Sequence, residues 1–253
     1  MFTFQNKIDS SRHTSICVVI PTYNEGHNIP RLIARLEALG ISDLTILLVD
    51  DNSPDGTADL AESMGKDSDI CVCILRRTAK SGLGTAYIKG FHWALERDFN
   101  MVIQMDADLS HAPECIPKML QLLDRYQVVV GSRYIANGSV DKHWHWARKF
   151  LSWMGNYGIR KIAGLNVNDV TSGFKAYRRS ALSCIDFDLV RCRGFGFQSE
   201  IAYICQLMNF KIVELPITFS DRQLGNSKMS LGIVTEAIVK IIRMRVKFRK
   251  SAV

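Results

Sequence analysis

Short apolar runs that each end in a polar or acidic cluster constrain this chain more than any other feature. Ile16–Ile20 gives way to Pro21-Thr22-Tyr23-Asn24-Glu25, and Leu44–Val49 to Asp50-Asp51-Asn52-Ser53-Pro54-Asp55-Gly56-Thr57. Met101–Met105 gives way to Asp106-Ala107-Asp108, and Val128–Val130 to Gly131-Ser132-Arg133. Ile70–Leu75 is a further run of the same kind. Continuous runs of this length, without apolar–polar alternation, suit strands covered on both faces. Helical patterns separate them, at Asn28–Leu39 (stopped by Gly40), Thr57–Met64, Gly84–Arg97 and near Glu114–Tyr126. Strand and helix in alternation predict an α/β fold, a mostly parallel sheet with helices on both faces.

Beyond Arg133 the rhythm changes. Asn137-Gly138 marks a loop, and an aromatic-rich segment follows with Trp144, Trp146, Phe150, Trp153 and Tyr157. A strand-like stretch at Gly173–Tyr177, a helix near Gln198–Met208 and a strand at Lys211–Phe219 complete the pattern. No Pro/Ser-rich linker, repeat or low-complexity tract divides the 253 residues, so one compact domain with a C-terminal extension is expected. A hydrophobic fraction of 47% and a charged fraction of 23% exclude disorder for most of the chain.

Lys+Arg number 32 against 25 Asp+Glu, and the net charge of +7 calls for an anionic partner: nucleic acid, a phosphorylated substrate or a membrane surface. Met1–Ser10 lacks the apolar region of a secretory signal. The seven cysteines (17, 71, 73, 115, 184, 192 and 205) are scattered without paired metal-ligand spacing, which predicts reduced thiols, no zinc site and a cytoplasmic protein. The late apolar stretch Leu231–Met244 is interrupted by Glu236, Lys240 and Arg243 and is too short to span a bilayer. Ile233, Ala237, Ile241, Met244 and Phe248 follow helical spacing there, with Lys240, Arg243, Lys247 and Lys250 on another face. Such a basic amphipathic helix suits an anionic membrane surface or docking onto its own domain, and the two are compatible.

In open parallel sheets ligands bind beyond the carboxyl ends of the strands, so the polar clusters above describe one edge of one crevice. Asp106 and Asp108 stand two apart at a strand end, where alternate residues point the same way. Two carboxylates brought together repel unless a divalent cation lies between them. Mg²⁺ or Mn²⁺ bound by one or two carboxylates and substrate phosphates fits that chemistry. A helix-start pair ahead of Pro113 is the plainer alternative. The first strand–helix turn lacks Gly-x-Gly-x-x-Gly, which excludes the dinucleotide fingerprint, and Lys80-Ser81-Gly82-Leu83-Gly84 is only a weak phosphate-loop pattern.

Taken in order and spacing, Val19-Ile20-Pro21-Thr22-Tyr23-Asn24-Glu25, Val49–Thr57, Met105-Asp106-Ala107-Asp108-Leu109-Ser110-His111 and Gly131-Ser132-Arg133-Tyr134 resemble glycosyltransferase family 2. Thr171-Ser172-Gly173-Phe174-Lys175, Gly196-Phe197-Gln198 and Arg222-x5-Lys228 narrow the resemblance to the dolichol-phosphate (polyprenol-phosphate) mannosyltransferase branch. It covers 15–229, leaving 1–14 as an N-terminal tail and 230–253 as the basic C-terminal helix. The resemblance implies a GT-A fold and inverting transfer of mannose from GDP-mannose to a dolichyl or polyprenyl phosphate. It places Pro21, Tyr23, Glu25, Val49 and Asp51 around the guanosine, Asp106 and Asp108 on the metal and diphosphate beside the Ala107 backbone, and Arg133, Arg222 and Lys228 around the donor and acceptor phosphates. Where some relatives have a Gln as third metal ligand this chain has Ser110, whose shorter, weaker hydroxyl disfavours direct ligation and leaves room for a water between. It further implies peripheral attachment to the cytoplasmic face of a membrane and leaves room for a small anchoring subunit.

A lipid phosphate needs no deprotonation near neutral pH, because its second pKa is about 6. No His or Glu is therefore expected as an essential general base. His111 is read as structural, and the stretch His143-Trp144-His145-Trp146 as either an acceptor loop at the membrane or ordinary packing, with Arg148 as a further phosphate contact. Transfer of glucose from UDP-glucose is the alternative activity, and a sugar-nucleotide-binding protein the non-enzymatic one. Nucleic acid is disfavoured by the acidic crevice edge.

Overall fold

The computed structural model describes residues 15–142, 144–194, 196–221 and 239. Arg222, Lys228, His143, the N-terminal tail and the basic C-terminal helix expected from the sequence lie outside the described residues.

The apolar runs form β1 (Ile16–Thr22), β2 (Leu44–Asp50), β3 (Cys71–Arg76), β4 (Met101–Gln104) and β5 (Val128–Ser132). A two-residue strand β6 (Ser139–Val140), β7 (Lys175–Arg178), β8 (Ile212–Pro216) and β9 (Thr218–Phe219) follow. Seven of these make one sheet in the order β3-β2-β1-β4-β7-β5-β8, and β6 pairs β9 separately. β7 runs antiparallel to both neighbours, β4 and β5, while the other pairings in that sheet are parallel. The mostly parallel α/β prediction is borne out.

Because alternate strand residues face opposite sides, the sheet has two cores. Ile16, Val18, Ile20, Ile46, Leu48 and Ile103 pack with α1 (Ile29–Glu37), α2 (Thr57–Lys66) and α4 (Ile116–Leu123). Cys17, Val19, Leu47, Val49 and Val102 pack with α3 (Leu83–Glu96), α5 (Trp146–Ala163), α6 (Arg179–Leu182) and α7 (Gly196–Leu207). The helix α3 lies unusually close to the sheet: a Cβ on Gly90 would stand 2.3 Å from Val19 Cγ1. That approach brings Tyr87, on the same helix, to the end of β4.

One element differs in kind from the sequence reading. The aromatic segment after Asn137-Gly138 is an 18-residue helix, α5, capped by His145, whose Nδ1 accepts from Ala147 N. Its apolar residues do not follow one stripe, because aromatic side chains occupy an outward face while Gly155, Asn156, Ile159 and Ala163 are buried. Periodicity tuned to one buried face misses such a helix.

Candidate active site

Loops following β1 and β2 build the first half of the crevice. Asp50, the last residue of β2, accepts from Thr22 Oγ1 at 2.9 Å and from Ser53 N at 2.9 Å. Ser53 Oγ in turn accepts from Asn24 N at 3.0 Å. Asp55 accepts from Gly26 N and Thr57 N, and Thr57 Oγ1 accepts from Glu25 N. Partial burial would raise the Asp55 pKa, but donation from the Thr57 hydroxyl, with the bonds from Gly26 N and Thr57 N, holds it below the usual carboxylate range. Asn24 and Asn52 adopt left-handed backbone at φ 59, which asparagine tolerates in tight turns. Asp51 is buried and ion-paired to Arg77, whose Nη2 also donates to Thr85 Oγ1 at 2.7 Å.

The second half is assembled around Asp106. Tyr87 donates its hydroxyl to Asp106 Oδ1 at 2.7 Å, and Asp106 N donates to His111 Nδ1 at 3.2 Å. Asp108 Oδ1 accepts from Ser110 N and Ser110 Oγ. Burial keeps His111 neutral, lowering its pKa against the opposing pull of Asp106 and Asp108. Burial, then the charge of Asp106 and more weakly of Asp108, pushes the Tyr87 phenol well up. The strand argument supposed that both acids sit on the strand end, whereas they lie beyond it. β4 ends at Gln104, and the turn beyond it carries Leu109 at φ 61. Leu109 is the one described residue other than Gly, Asn or Asp in that region, a conformation costing about 1–3 kcal/mol and persisting where packing enforces it.

Gly173 keeps space open beside Asp106. A Cβ there would sit 3.0 Å from Asp106 Oδ2 and 3.2 Å from His111 Cε1. Asp106, held by Tyr87 and facing a cradle that a methyl group would fill, and Asp108, held by Ser110, are carboxylate donors of the kind that suits a hard divalent cation completing its shell with phosphate and water oxygens. Ser110 donates its hydroxyl proton to Asp108.

Arg133, beyond β5, has a largely buried side chain bound bidentately by Asp169, with Nε–Oδ2 and Nη2–Oδ1 both 2.7 Å. Its Nη2 also reaches Thr171 Oγ1 at 2.7 Å, and its N donates to Asp169 Oδ2 at 3.0 Å. Burial alone would raise the Asp169 pKa, but the guanidinium beside it holds the carboxyl below the ordinary value. Glu214 on β8 accepts from Asn168 N and Asp169 N, fixing that loop from the far side. Beneath the site, buried Lys175 donates to Ser172 O and to Gln198 Oε1, and burial lowers its pKa to about 8.

A family model described as "Glycosyl transferase family 2" matches residues 17–186, about two thirds of the chain. The chain belongs to glycosyltransferase family 2. It is 44% identical over 229 residues to the undecaprenyl-phosphate mannosyltransferase of Micrococcus luteus, covering 90% of this chain and 93% of that one. It is 40% identical over 233 residues to the polyprenol monophosphomannose synthase of Mycolicibacterium smegmatis, covering 92% and 87%. Among solved structures it resembles glucosyl-3-phosphoglycerate synthase of Mycobacterium tuberculosis, crystallised with Mn²⁺, UDP-glucose and phosphoglyceric acid, at a TM-score of 0.65 and 17% identity over 92% of this chain and 79% of that one. That likeness bears out the GT-A fold. The expected branch is borne out by the two relatives, and the protein is a glycosyltransferase.

Of the residues expected around the nucleotide, Pro21, Tyr23, Glu25 and Asp51 stand on the first half of this family-2 crevice. Tyr23 lies under Lys80, whose Nζ is 3.5 Å from the ring centroid. Glu25 accepts from Asn28 Nδ2 at 2.7 Å. Val49 and Ala107 have buried side chains, Val49 against Gly90. Arg148 pairs with Asp221 at 2.9 Å and stacks 3.8 Å over Trp144. His111, expected to be structural, touches the Asp106 backbone directly. Sequence reasoning passed over Tyr87, Arg77, Asp169 and Glu214. Arg77 carried a usable signal, standing just after β3 as the named acids stand after β1, β2 and β4. Tyr87 sits mid-helix among core aromatics, and nothing local marks it.

Proposed function

We propose that this chain transfers mannose from GDP-mannose to a polyprenyl or dolichyl phosphate, with inversion at the anomeric carbon and with Mg²⁺ or Mn²⁺. The nearly full-length likeness to two polyprenol-phosphate mannose-transferring relatives carries the reading. The site geometry supports its mechanism. The lipid phosphate oxygen forms a bond to the mannose C1 while the C1–O bond to GDP breaks, and GDP leaves from the opposite face. The acceptor is already mostly dianionic near neutral pH, so no proton has to be removed. The neutral, buried His111 serves as an acceptor to the Asp106 backbone, which fits the absence of a base from this scheme.

Asp106 and Asp108 would hold the metal, with Tyr87 and Ser110 fixing their carboxylates. When bound, the cation neutralises diphosphate charge as GDP departs. Arg133 has five N–H donors, of which Asp169 and Thr171 take those on Nε and Nη2. Its Nη1 donors are the ones assigned to a phosphate. Arg222 and Lys228 are assigned to the donor and acceptor phosphates, and Asp51 with Pro21, Tyr23 and Glu25 to the guanosine. The protein works at the cytoplasmic face of a membrane, with or without a small anchoring subunit. No helix among the described residues is long and apolar enough to cross one.

The test uses purified protein, labelled GDP-mannose or UDP-glucose, a polyprenyl phosphate, and Mg²⁺ or Mn²⁺ with and without chelator. A β-linked mannolipid from the α-linked donor, lost with chelator, is expected. Product from UDP-glucose alone would move the donor assignment, and no glycolipid from either donor would overturn the reading.

A further inference from the structure

Two thiols meet on β3, the strand at one edge of the seven-stranded sheet. Cys71 and Cys73 stand two apart on it, so their side chains share one face. Their sulfurs are 3.7 Å apart, within sulfur hydrogen-bond reach. Cys71 is exposed and Cys73 half-buried. Thr45, the registered neighbour of Cys71 on β2, donates its hydroxyl to the Cys71 sulfur. The other thiols are placed differently. Cys17, Cys192 and Cys205 are buried, and the exposed Cys184 donates to Ser180 O at 3.1 Å. The sugar-transfer scheme uses none of them.

A sulfur that accepts from two donors gives up its own proton more readily. Donation from the Cys73 thiol, joined by that from Thr45, lowers the Cys71 pKa against the opposing effect of burial. The same bond keeps the proton on Cys73, whose pKa is raised. An exposed thiolate with a second thiol beside it is the arrangement of a redox-responsive pair. With hydrogen peroxide the chemistry balances. The Cys71 thiolate attacks one peroxide oxygen, an S–O bond forms, the O–O bond breaks, and hydroxide leaves to take up a proton as water. Cys71 is then a neutral sulfenic acid, and the anion that held the Cys73 proton is gone. Cys73 attacks Cys71 Sγ, its proton departs with the sulfenic hydroxyl as a second water, and the S–S bond closes.

Closure has to move the backbone. Residues two apart on a strand lie about 6.4–6.8 Å apart at Cα. That is the upper end of the span of about 4.4–6.8 Å that disulfides bridge, so the new bond is strained and readily reduced. An edge strand, paired to β2 alone, can give way. Val72, between the two cysteines, is held against α2, where a Cβ on Gly65 would stand 2.8 Å from Val72 Cβ. The displacement is therefore directed along β3. Its far end leads to Arg77, whose N donates to Asp50 O at 2.8 Å and whose guanidinium pairs with Asp51.

We propose that Cys71 and Cys73 form a reversible disulfide on exposure to hydroperoxides, and that this closure draws Arg77 away from Asp51 and weakens nucleotide binding. The thiol chemistry stands apart from the proposed activity, whereas its effect on the nucleotide rests on the assignment of Asp51 to the guanosine.

The full chain, reduced and desalted, is treated with hydrogen peroxide, capped at its remaining thiols with N-ethylmaleimide and digested with trypsin without reductant. Both cysteines fall in one tryptic peptide, Asp67–Arg76. That peptide should lose two hydrogens and take up no maleimide, and dithiothreitol should restore both thiols. C73S should stop at a Cys71 sulfenic acid that dimedone traps. In C71S, oxidation of the remaining Cys73 should be about ten-fold slower or more, as loss of the activated thiolate requires. GDP affinity should fall about ten-fold or more in the oxidised chain, the scale of one lost charge-assisted bond, and recover with dithiothreitol. C71S/C73S should bind GDP equally before and after peroxide.

Two free thiols in that peptide after peroxide treatment, or sulfenic acid at Cys184 ahead of Cys71, would overturn the inference. A disulfide that leaves GDP affinity unchanged would overturn the link to the nucleotide. If the disulfide forms and weakens GDP binding but the reduced chain makes no glycolipid, the thiol switch stands and the proposed activity fails. If glycolipid forms and the peptide never closes, the reverse holds.

Discussion

The two halves of the crevice are built differently. The half at the ends of β1 and β2 is a set of loops whose polar residues bond to the neighbouring loop: Thr22 to Asp50, Asn24 to Ser53, Gly26 to Asp55. Parallel strands in register present their following loops side by side, so loop residues find one another without further help. The half around Asp106 draws on distant parts of the chain. Tyr87 comes from the middle of α3, Asp169 from a loop held by β8, and Gly173 from the approach to the antiparallel strand β7. The first half is a property of local turns, the second of the packed fold. Damage should therefore stay local in one and spread in the other.

The largest expected effect is on the second half. Asp169→Asn leaves Arg133 buried without its counter-charge, and breaking such a pair costs about 3–5 kcal/mol. The sign of its pH dependence follows from a folded pKa held below the ordinary value. The stabilisation is present above the unfolded carboxylate value of about 3.9 and is lost as pH falls through the folded one. Urea midpoints measured across the acid range should drop for the wild type and respond less to pH in the variant.

Next comes Asp106→Asn, expected to lower turnover about 10²–10³-fold, on the scale of a lost electrostatic contact to developing charge. The far-ultraviolet circular dichroism should be unchanged. Retention of full metal-dependent activity would remove Asp106 from the site.

Tyr87→Phe tests whether support from α3 matters. Outer partners of metal-binding carboxylates typically contribute about 10–100-fold in affinity or activity. A Mn²⁺ titration of the variant in the presence of GDP should show weaker metal binding with little change in stability. A variant that loses stability but keeps its metal affinity would mark Tyr87 as a core residue only.

The smallest effect belongs to the first half. Ser53→Ala removes the hydroxyl donation to Asp50 and an acceptor for Asn24 N while keeping the Ser53 N–H bond to Asp50, a loss on the order of 1 kcal/mol in a solvated loop. The KM for GDP-mannose should rise while kcat holds. A collapse of kcat would erase the distinction between the two halves.

What could be read from the residues follows the same division. Asp50, Asp51, Asp106, Asp108 and Arg133 each stand directly after an apolar run, and that position alone marks the crevice. Tyr87 and Asp169 follow no such run. Tyr87 reads as one more core aromatic, since it also stacks on Phe197 at 5.7 Å. The helix α5 escaped notice because its aromatic residues face outward and its buried face is built from glycine, asparagine and alanine as much as from large apolar groups.

The amino-acid sequence by itself determined the strands, their alternation with helices, the edge at which polar groups gather and the family to which they belong. These follow from short-range patterns of burial and turn chemistry, which each segment carries alone. Only the tertiary structure decided what holds the acids in place. Tyr87 meets Asp106, and Asp169 meets Arg133, because α3 packs closely on the sheet at Gly90 and because β8 fixes the loop that bears Asp169. Those contacts join residues 19 and 36 positions apart. Packing of whole elements brings them together, and no local pattern encodes it.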